Sequence, residues 1–403
     1  MNNRTLKWIW LTAAKGMNSA KVTSLLNVFS DIDEIYNAGK DDYKNIELIR
    51  ENDISLLSEK SLSGAEDIIK KLNKIGAYAI DFDDENYPNK LKKLVDPPYV
   101  IYVRGELPDF DNSCVSVGVV GTRLYSEYGA QVTKKMCFEL AKNGFTIVSG
   151  MARGVDTFAA ISALKAGEKT VAVLGCGVDV VYPPENVDLM KAIIKNGAVI
   201  SEYPPLSQPL GFHFPERNRI IAALSDCLLV TEAPNGSGAL ITARRAYEMN
   251  VNIFAVPGSV FSANSVGTNN MIKAGIKAAT CPKDITDEYE YELSKIKKNQ
   301  KRNPVYVDEP IEKKDAEEKN VTEKKKEIKS EESLPEKKSA QDLSELSESE
   351  RSIVNIISEQ GKISGDEIIR SSGLEALQVN QVLPLLEIMG IIKKLPGNYY
   401  ILN

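Results

Sequence analysis

Between Val115 and Val256 the chain repeats one pattern: a short apolar run, a glycine-bearing turn, then a stretch with helical spacing. Val115–Val120 (VSVGVV) leads into Gly121-Thr122-Arg123, and Phe145–Val148 leads into Ser149-Gly150-Met151-Ala152-Arg153-Gly154-Val155-Asp156. Thr170–Leu174 leads into Gly175-Cys176-Gly177-Val178-Asp179, and Ala198–Ser201 is a further strand before Glu202. The fullest copy lies in 213–258. A helix predicted over Pro215–Leu224 precedes a strand at Cys227–Thr231, the turn Ala233-Pro234-Asn235-Gly236-Ser237-Gly238, a helix at Ala239–Met249 and a strand at Val251–Val256. Short apolar strands alternating with helices dictate a parallel sheet covered on both faces. Ligands of such sheets lie beyond the carboxyl ends of the strands. Every glycine-bearing turn here falls at such an end, so the turns can converge on one cleft. Glycines let the backbone approach closely, and the free N–H groups of helix starts point at an anion, which suits a phosphate.

The spacing excludes several alternatives. Gly118-Val-Val-Gly121-Thr-Arg123 lacks the G-x-G-x-x-G of a dinucleotide site, so no nicotinamide cofactor is expected. With one histidine, His213, and five scattered cysteines, neither a metal site nor a Ser-His-Asp triad is expected. The cysteines sit in or beside apolar runs and read as reduced, buried thiols of a cytoplasmic protein. Trp8–Ala14 is apolar but too short to span a membrane. The net charge of −6 is uneven: Asn112–Pro282 holds 15 Lys and Arg against 12 Asp and Glu. A mildly basic middle inside an acidic chain is compatible with a phosphate ligand.

At 403 residues two or three domains are expected. Residues 1–75 carry Trp8, Leu11, Val22, Leu25, Leu26 and Phe29 at helical spacing around a Lys15-Gly16-Met17-Asn18 break. This is a small helical domain of helix-hairpin-helix (SAM-like) type, although Asn18 stands where that motif has a second glycine. Residues 76–290 hold the α/β domain, opening with a transition piece and a strand at Tyr99–Val103. Residues 291–345, dense in Lys and Glu from about Lys297 to Ala340, lack the apolar content to fold and read as a flexible linker. In residues 346–403, Ser347-x-x-Glu350 and Ser364-x-x-Glu367 are capping boxes that start two helices. A third helix (Glu375–Met389) and a hairpin around Pro396-Gly397-Asn398 complete a winged helix. Its third helix has Glu375 and Glu387 but no basic residue, so contact with protein is expected there ahead of DNA.

Together these motifs resemble the DNA-processing protein A family. The resemblance rests on Val119-Val120-Gly121-Thr122-Arg123, Ser149–Asp156, Val173–Asp179, Tyr182-Pro183 with Asn186, and Ser201–Pro204. It continues through Phe214–Ala222, Ser237-Gly238, Thr242-Ala243, Ala255–Gly258 and Gly267-Thr268-Asn269. It implies an extended Rossmann-like domain flanked by the helical domain and the winged helix, dimerising through the Rossmann-like part. It also implies a protein that binds single-stranded DNA, protects it and hands it to the RecA recombinase in natural transformation, without catalysing a reaction. The DNA-binding residues it points to are Gly121, Thr122, Arg123, Gly150, Arg153, Gly154, Phe214, Arg217, Asn218, Arg219, Gly236, Ser237 and Gly238. Pro184-Glu185 depart from the family, which often has a basic residue there, so a phosphate contact is expected to be missing.

The competing reading is an enzyme, a phosphoribohydrolase of the lysine-decarboxylase-like group with the motif P-G-G-x-G-T-x-x-E. Aligned on Asn235–Thr242, that motif puts Thr242 where the catalytic acid belongs, which leaves Glu232 as a substitute. Among single residues, Arg123 is expected on phosphate. Arg217 and Arg219 point to different sides of their helix, at least one packing or pairing structurally (with Glu216 or Glu202) and the other expected at DNA. Phe214 either stacks on a base or packs in the core. Asp156 and Asp179 are expected to brace turns, and Arg244 to pair with Glu248.

Overall fold

Nine runs of extended backbone form one sheet: β1 (Ala77–Asp81), β2 (Val100–Gly105), β3 (Val115–Val120), β4 (Phe145–Ser149), β5 (Thr170–Leu174), β6 (Ala198–Ser201), β7 (Cys227–Val230), β8 (Asn252–Ala255) and β9 (Lys277–Ala278). The computed structural model describes residues 3–296, 303–310 and 346–402, in two units that divide near Asp308. The sheet order is β1-β2-β6-β5-β4-β3-β7-β8-β9. From β6 to β9 neighbours run parallel, while β1 and β2 are added antiparallel at one edge. Every residue of β3 to β7 is buried, as the apolar runs require of strands covered on both faces.

One face packs Val117, Val119, Phe145 and Ile147 against the helices Glu127–Lys142 and Val155–Lys165. The other packs Val120, Val148, Leu228 and Val230 against His213–Leu224 and Gly238–Glu248. From Val155 to Leu164 every residue of its helix is buried, matching a sequence with almost no polar side.

The first 74 residues form helices (Asn3–Thr12, Ser19–Leu26, Ile32–Asn37, Glu51–Ser58, Ser63–Lys74), but they own no separate core. Trp8, Leu11, Val22 and Leu25 belong to one cluster with Tyr99, Val100, Tyr102 and Leu174 of the sheet. Trp8 stacks on Tyr99 with centroids 5.4 Å apart. Asn18, the residue foreign to a helix-hairpin-helix turn, N-caps the second helix by accepting the Lys21 N–H at 3.0 Å. The Lys21 ammonium goes to Asp53 at 2.7 Å.

The transition piece contains β1, whose exposed Tyr78 and terminal Asp81 leave no continuous apolar run to find. Beyond 290 a helix continues through Glu290–Lys295, and Val305 N–H donates to the Leu164 carbonyl at 3.0 Å. The start of the expected linker therefore belongs to the α/β unit; the rest, outside 303–310, lies beyond the described residues.

In the second unit, Ser347 and Ser364 each make the expected capping box, starting Glu348–Gln360 and Gly365–Ser372. The third helix spans Ala376–Ile388, and β11 (Ile392–Leu395) pairs antiparallel with β12 (Tyr399–Leu402). A two-residue strand not foreseen, β10 (Ile363–Ser364), joins β12 to complete the winged-helix sheet.

Candidate nucleic-acid interface

β3 and β7 lie side by side where the strand order reverses, and a cleft of about 760 Å³ opens beyond their carboxyl ends. That is where an open parallel sheet holds its ligand. Gly121 to Leu124 enter it from the turn after β3, and Ala152 and Asp156 from the turn after β4. Ser237, Gly238, Ala239 and Thr242 come from the helix start after β7. Tyr182, Phe214, Arg217 and Asn218 also line it.

The walls are tied together by buried polar groups. Gly154 adopts φ +74°, and a Cβ there would sit 2.7 Å from the Thr122 carbonyl oxygen. Asp156 braces its turn as expected, accepting N–H groups of Gly150 (3.1 Å) and Ala152 (3.3 Å). Burial pushes its carboxyl above the usual range, against the opposing charge of Arg217. Asn186 fixes the same turn from behind, donating to the Met151 carbonyl at 2.9 Å and to Thr157 Oγ1 at 3.0 Å. Asp179 likewise accepts the Leu206 N–H at 2.8 Å.

Arg217 and Arg219 stand two residues apart, about 200° around an α-helix. Arg217 is 3% exposed. Its Nη1 donates to the carbonyls of Gly150 (2.8 Å) and Val173, and its Nε donates to Asn218 Oδ1 (3.2 Å). It stitches the ends of β4 and β5 under the cleft; burial lowers its pKa, with Asp156 opposing. A side chain at Gly150 would collide with that guanidinium. For Arg219 the expected place at DNA is corrected. It is 4% exposed, does not line the cleft, and bonds Asp96 (3.1 Å), Glu202 (2.8 and 2.9 Å) and Ser19 (3.3 Å) on the far side of the helix.

Arg123 is different. It is exposed, makes no ion pair among the described residues, and holds its guanidinium 5.3 Å from the Phe214 ring centroid. Phe214 is half-buried and faces Tyr182 at 5.2 Å, so it forms a wall of the cleft. Tyr182, of the Tyr182-Pro183 pair, supplies the second ring of that wall. Arg153 lies outside the lining and pairs with Glu185, the residue that departs from the family pattern. Burial raises the Glu185 carboxyl, but the Arg153 hydrogen bond and charge outweigh that and hold it below its usual value.

At the third turn Ser237 occupies the N-cap position of Gly238–Glu248 without making a cap bond, and its buried Oγ has no partner among the described residues. Asn218 Nδ2 reaches the Gly238 carbonyl at 3.4 Å, while Gly236 is exposed and outside the lining. Thr122 is buried and donates its N–H to the Glu232 carbonyl at 2.8 Å.

The cleft thus offers helix-start N–H groups, one exposed guanidinium and an aromatic pair, a set suited to a phosphodiester with adjoining bases. Glu232, the stand-in acid of the enzyme reading, is 1% exposed and outside this cleft. It accepts the Ser126 N–H (2.9 Å) and hydroxyl (2.6 Å), while Ser126 caps Glu127–Lys142. Among the described residues no His, Cys, Asp and Glu cluster could hold a metal ion, and no helix is long and apolar enough to cross a membrane.

Comparison with known proteins agrees with this geometry. The family model described as DNA recombination-mediator protein A matches residues 78–290, and that of the DprA winged helix domain matches 337–398. The chain is 45% identical over 195 residues to Protein Smf of Synechocystis, covering 48% of this chain and 49% of that protein, about half its length. It is 41% identical over 222 residues to the DNA processing protein DprA of Streptococcus pneumoniae, covering 55% of this chain and 77% of that protein. The X-ray structure of the Streptococcus pneumoniae DNA processing protein A superposes with a TM-score of 0.64 at 34% identity, over 71% of this chain and 99% of the other. With the family model spanning more than half of the sequence and the fold matching in three dimensions, the chain belongs to the DNA recombination-mediator protein A family, DprA/Smf.

Proposed function

We propose that the cleft holds the backbone of single-stranded DNA and that the protein acts in DNA processing during natural transformation, delivering the strand to the RecA recombinase. The relatives named DNA processing protein supply the substrate class. The observation that carries the reading is Arg123, an exposed guanidinium that makes no ion pair among the described residues, set beside Phe214 and two helix starts at the switch point of the sheet. An unpaired base can reach the Phe214–Tyr182 wall, whereas no helix or ribbon of the cleft is shaped to enter a duplex groove. Titrating labelled single- and double-stranded oligonucleotides at two salt concentrations tests it. Preference for the single strand with a steep salt dependence is expected. Equal affinity for duplex defeats the reading.

The protein is proposed not to be an enzyme. Thr242 stands where the hydrolase motif has its acid, and Glu232 is committed to Ser126. Release of free base from nucleoside monophosphates would favour the hydrolase. A homodimer through the α/β unit is part of the proposal, measurable by light scattering. So is a cytoplasmic location, with which five free cysteines agree.

A further inference from the structure

The start of the helix His213–Leu224 carries a second group of rings beside the wall of the cleft. Pro209, Gly211, Phe214 and Pro215 line the cleft, while Phe212 and His213 fall between them in the chain and stand outside the lining. His213 is buried. Its Nδ1–H donates to the Gly175 carbonyl at 3.0 Å, and its ring stacks on Tyr203 with centroids 3.8 Å apart. Tyr203 is held in turn, its hydroxyl donating to Glu216 at 2.8 Å. Gly175 gives this helix start a close seat: a Cβ there would stand 3.1 Å from the Phe214 ring and 3.4 Å from the His213 backbone.

Phe212 ends the stack. Its ring meets that of His213 edge-on, with centroids 4.6 Å apart, and has no other ring contact among the described residues. The residue is nonetheless 61% exposed. The chain leading to it is tied down. Leu206 N–H donates to Asp179 (2.8 Å), Gly177 N–H to the Ser207 carbonyl (3.0 Å), and His213 N–H to the Leu210 carbonyl (3.0 Å). A braced aromatic ring thus faces water at the rim of the cleft. Phe212 is two residues from Phe214, so their Cα atoms lie no more than about 7 Å apart. That is close to the repeat of an extended nucleic-acid backbone.

We infer that Phe212 is a stacking platform for a second unpaired nucleobase, the neighbour of the one that reaches Phe214 and Tyr182. A strand whose phosphate lies on Arg123 then sets consecutive bases on two rings carried by one helix start. Every base has a π face, so the platform takes purines and pyrimidines alike. It also favours unpaired bases, because those of a duplex are not free to turn onto a ring. This platform presupposes the single-strand reading above.

The test compares full-length wild type with Phe212→Ala on oligothymidylate and on an abasic phosphodiester strand of equal length. Loss of one platform weakens oligothymidylate binding about tenfold, with the salt slope and melting temperature intact, and leaves abasic binding unchanged. A second variant, Phe212→Trp, keeps a platform, binds oligothymidylate as the wild type does, and has its added indole emission quenched by that strand but not by the abasic one. Unchanged oligothymidylate affinity in Phe212→Ala overturns the platform and leaves the cleft reading standing. Equal loss on both strands overturns it as well, and so does Phe212→Trp emission that saturating oligothymidylate fails to quench. A wild type that binds neither strand overturns both readings. Conversion of a dimer to a monomer by Phe212→Ala, seen in light scattering, would assign the ring to a second copy of the chain and overturn the platform.

Discussion

Arg123→Ala separates a phosphate ligand from a structural arginine, because so little of Arg123 is used by the fold. Its one described contact is with the Phe214 ring at 5.3 Å, and an exposed cation–π contact is worth roughly 0.5–1 kcal/mol. Unfolding temperature should therefore shift by only a few degrees. Binding should change far more. A hydrogen bond to a charged group contributes roughly 1.5–3 kcal/mol, so the variant should bind single-stranded DNA roughly 10- to 150-fold more weakly at low salt. One phosphate contact fewer lowers the slope of log K against log salt by roughly 0.7. The loss should be similar for different base sequences, since phosphate contacts carry no sequence information. Arg123→Lys should keep the slope while recovering only part of the affinity, because an ammonium lacks the planar fork. Fluorescence anisotropy over a salt series reads all three quantities. A folded Arg123→Ala protein with wild-type affinity and slope would refute the cleft assignment.

The remaining predictions concern residues that the structure moved or revealed. Arg219→Ala removes the buried cation from Glu202 and Asp96, which are themselves part-exposed, and should cost roughly 1.5–3 kcal/mol in denaturant unfolding, with the salt slope of DNA binding unchanged. Burial among Trp10, Tyr36 and Tyr43 pushes the Lys60 amine from 10.5 down to about 8. The unfolded chain then binds more protons across that window, so wild-type stability should rise as pH rises through it. Lys60→Met should remove that rise, checked by melting temperature at several pH values. Ending the chain at Asp308 should leave most single-strand affinity in place, because the third helix of the winged domain exposes Gln378, Asn380 and Gln381 but no cation. Near-complete loss in a folded truncation would overturn the charge argument.

The repeating apolar runs made β3 to β8 and the position of the cleft legible, because a strand buried on both faces writes its burial directly into its composition. β1 and β10 were not legible: one has no continuous apolar run, the other has two residues and exists through its partner β12. At the site, Gly121 to Arg123 and Ser237-Gly238 could be read from turn position alone. The fates of Arg217 and Arg219 could not. Helical spacing says that they diverge, but which neighbour waits on each side depends on Val173, Gly150, Asp96 and Ser19, all distant in sequence. The Arg153–Glu185 pair was out of reach for a related reason, since Glu185 comes from a different turn.

The bond from Ser19 to Glu202 (2.9 Å) and the reach of Arg219 to the same hydroxyl bear on how such a chain can be cut and recombined. The helix that floors the cleft with Phe214 and Arg217 is anchored, through its back, to the amino-terminal helices. Thr5 bonds Asp81 at 2.6 Å and Trp8 covers Tyr99, so the same helices also close the antiparallel edge of the sheet. The family match begins at residue 78, inside β1. A fragment starting there would inherit the whole ligand-facing surface yet uncover the Tyr99 ring, the Asp81 carboxylate and the Arg219–Glu202 ion pair. Any chimera that keeps the cleft but exchanges the first 74 residues must bring a substitute for Trp8, Thr5 and Ser19. The amino-terminal helices are therefore a keystone of the DNA-facing unit, not an accessory that can be swapped without loss.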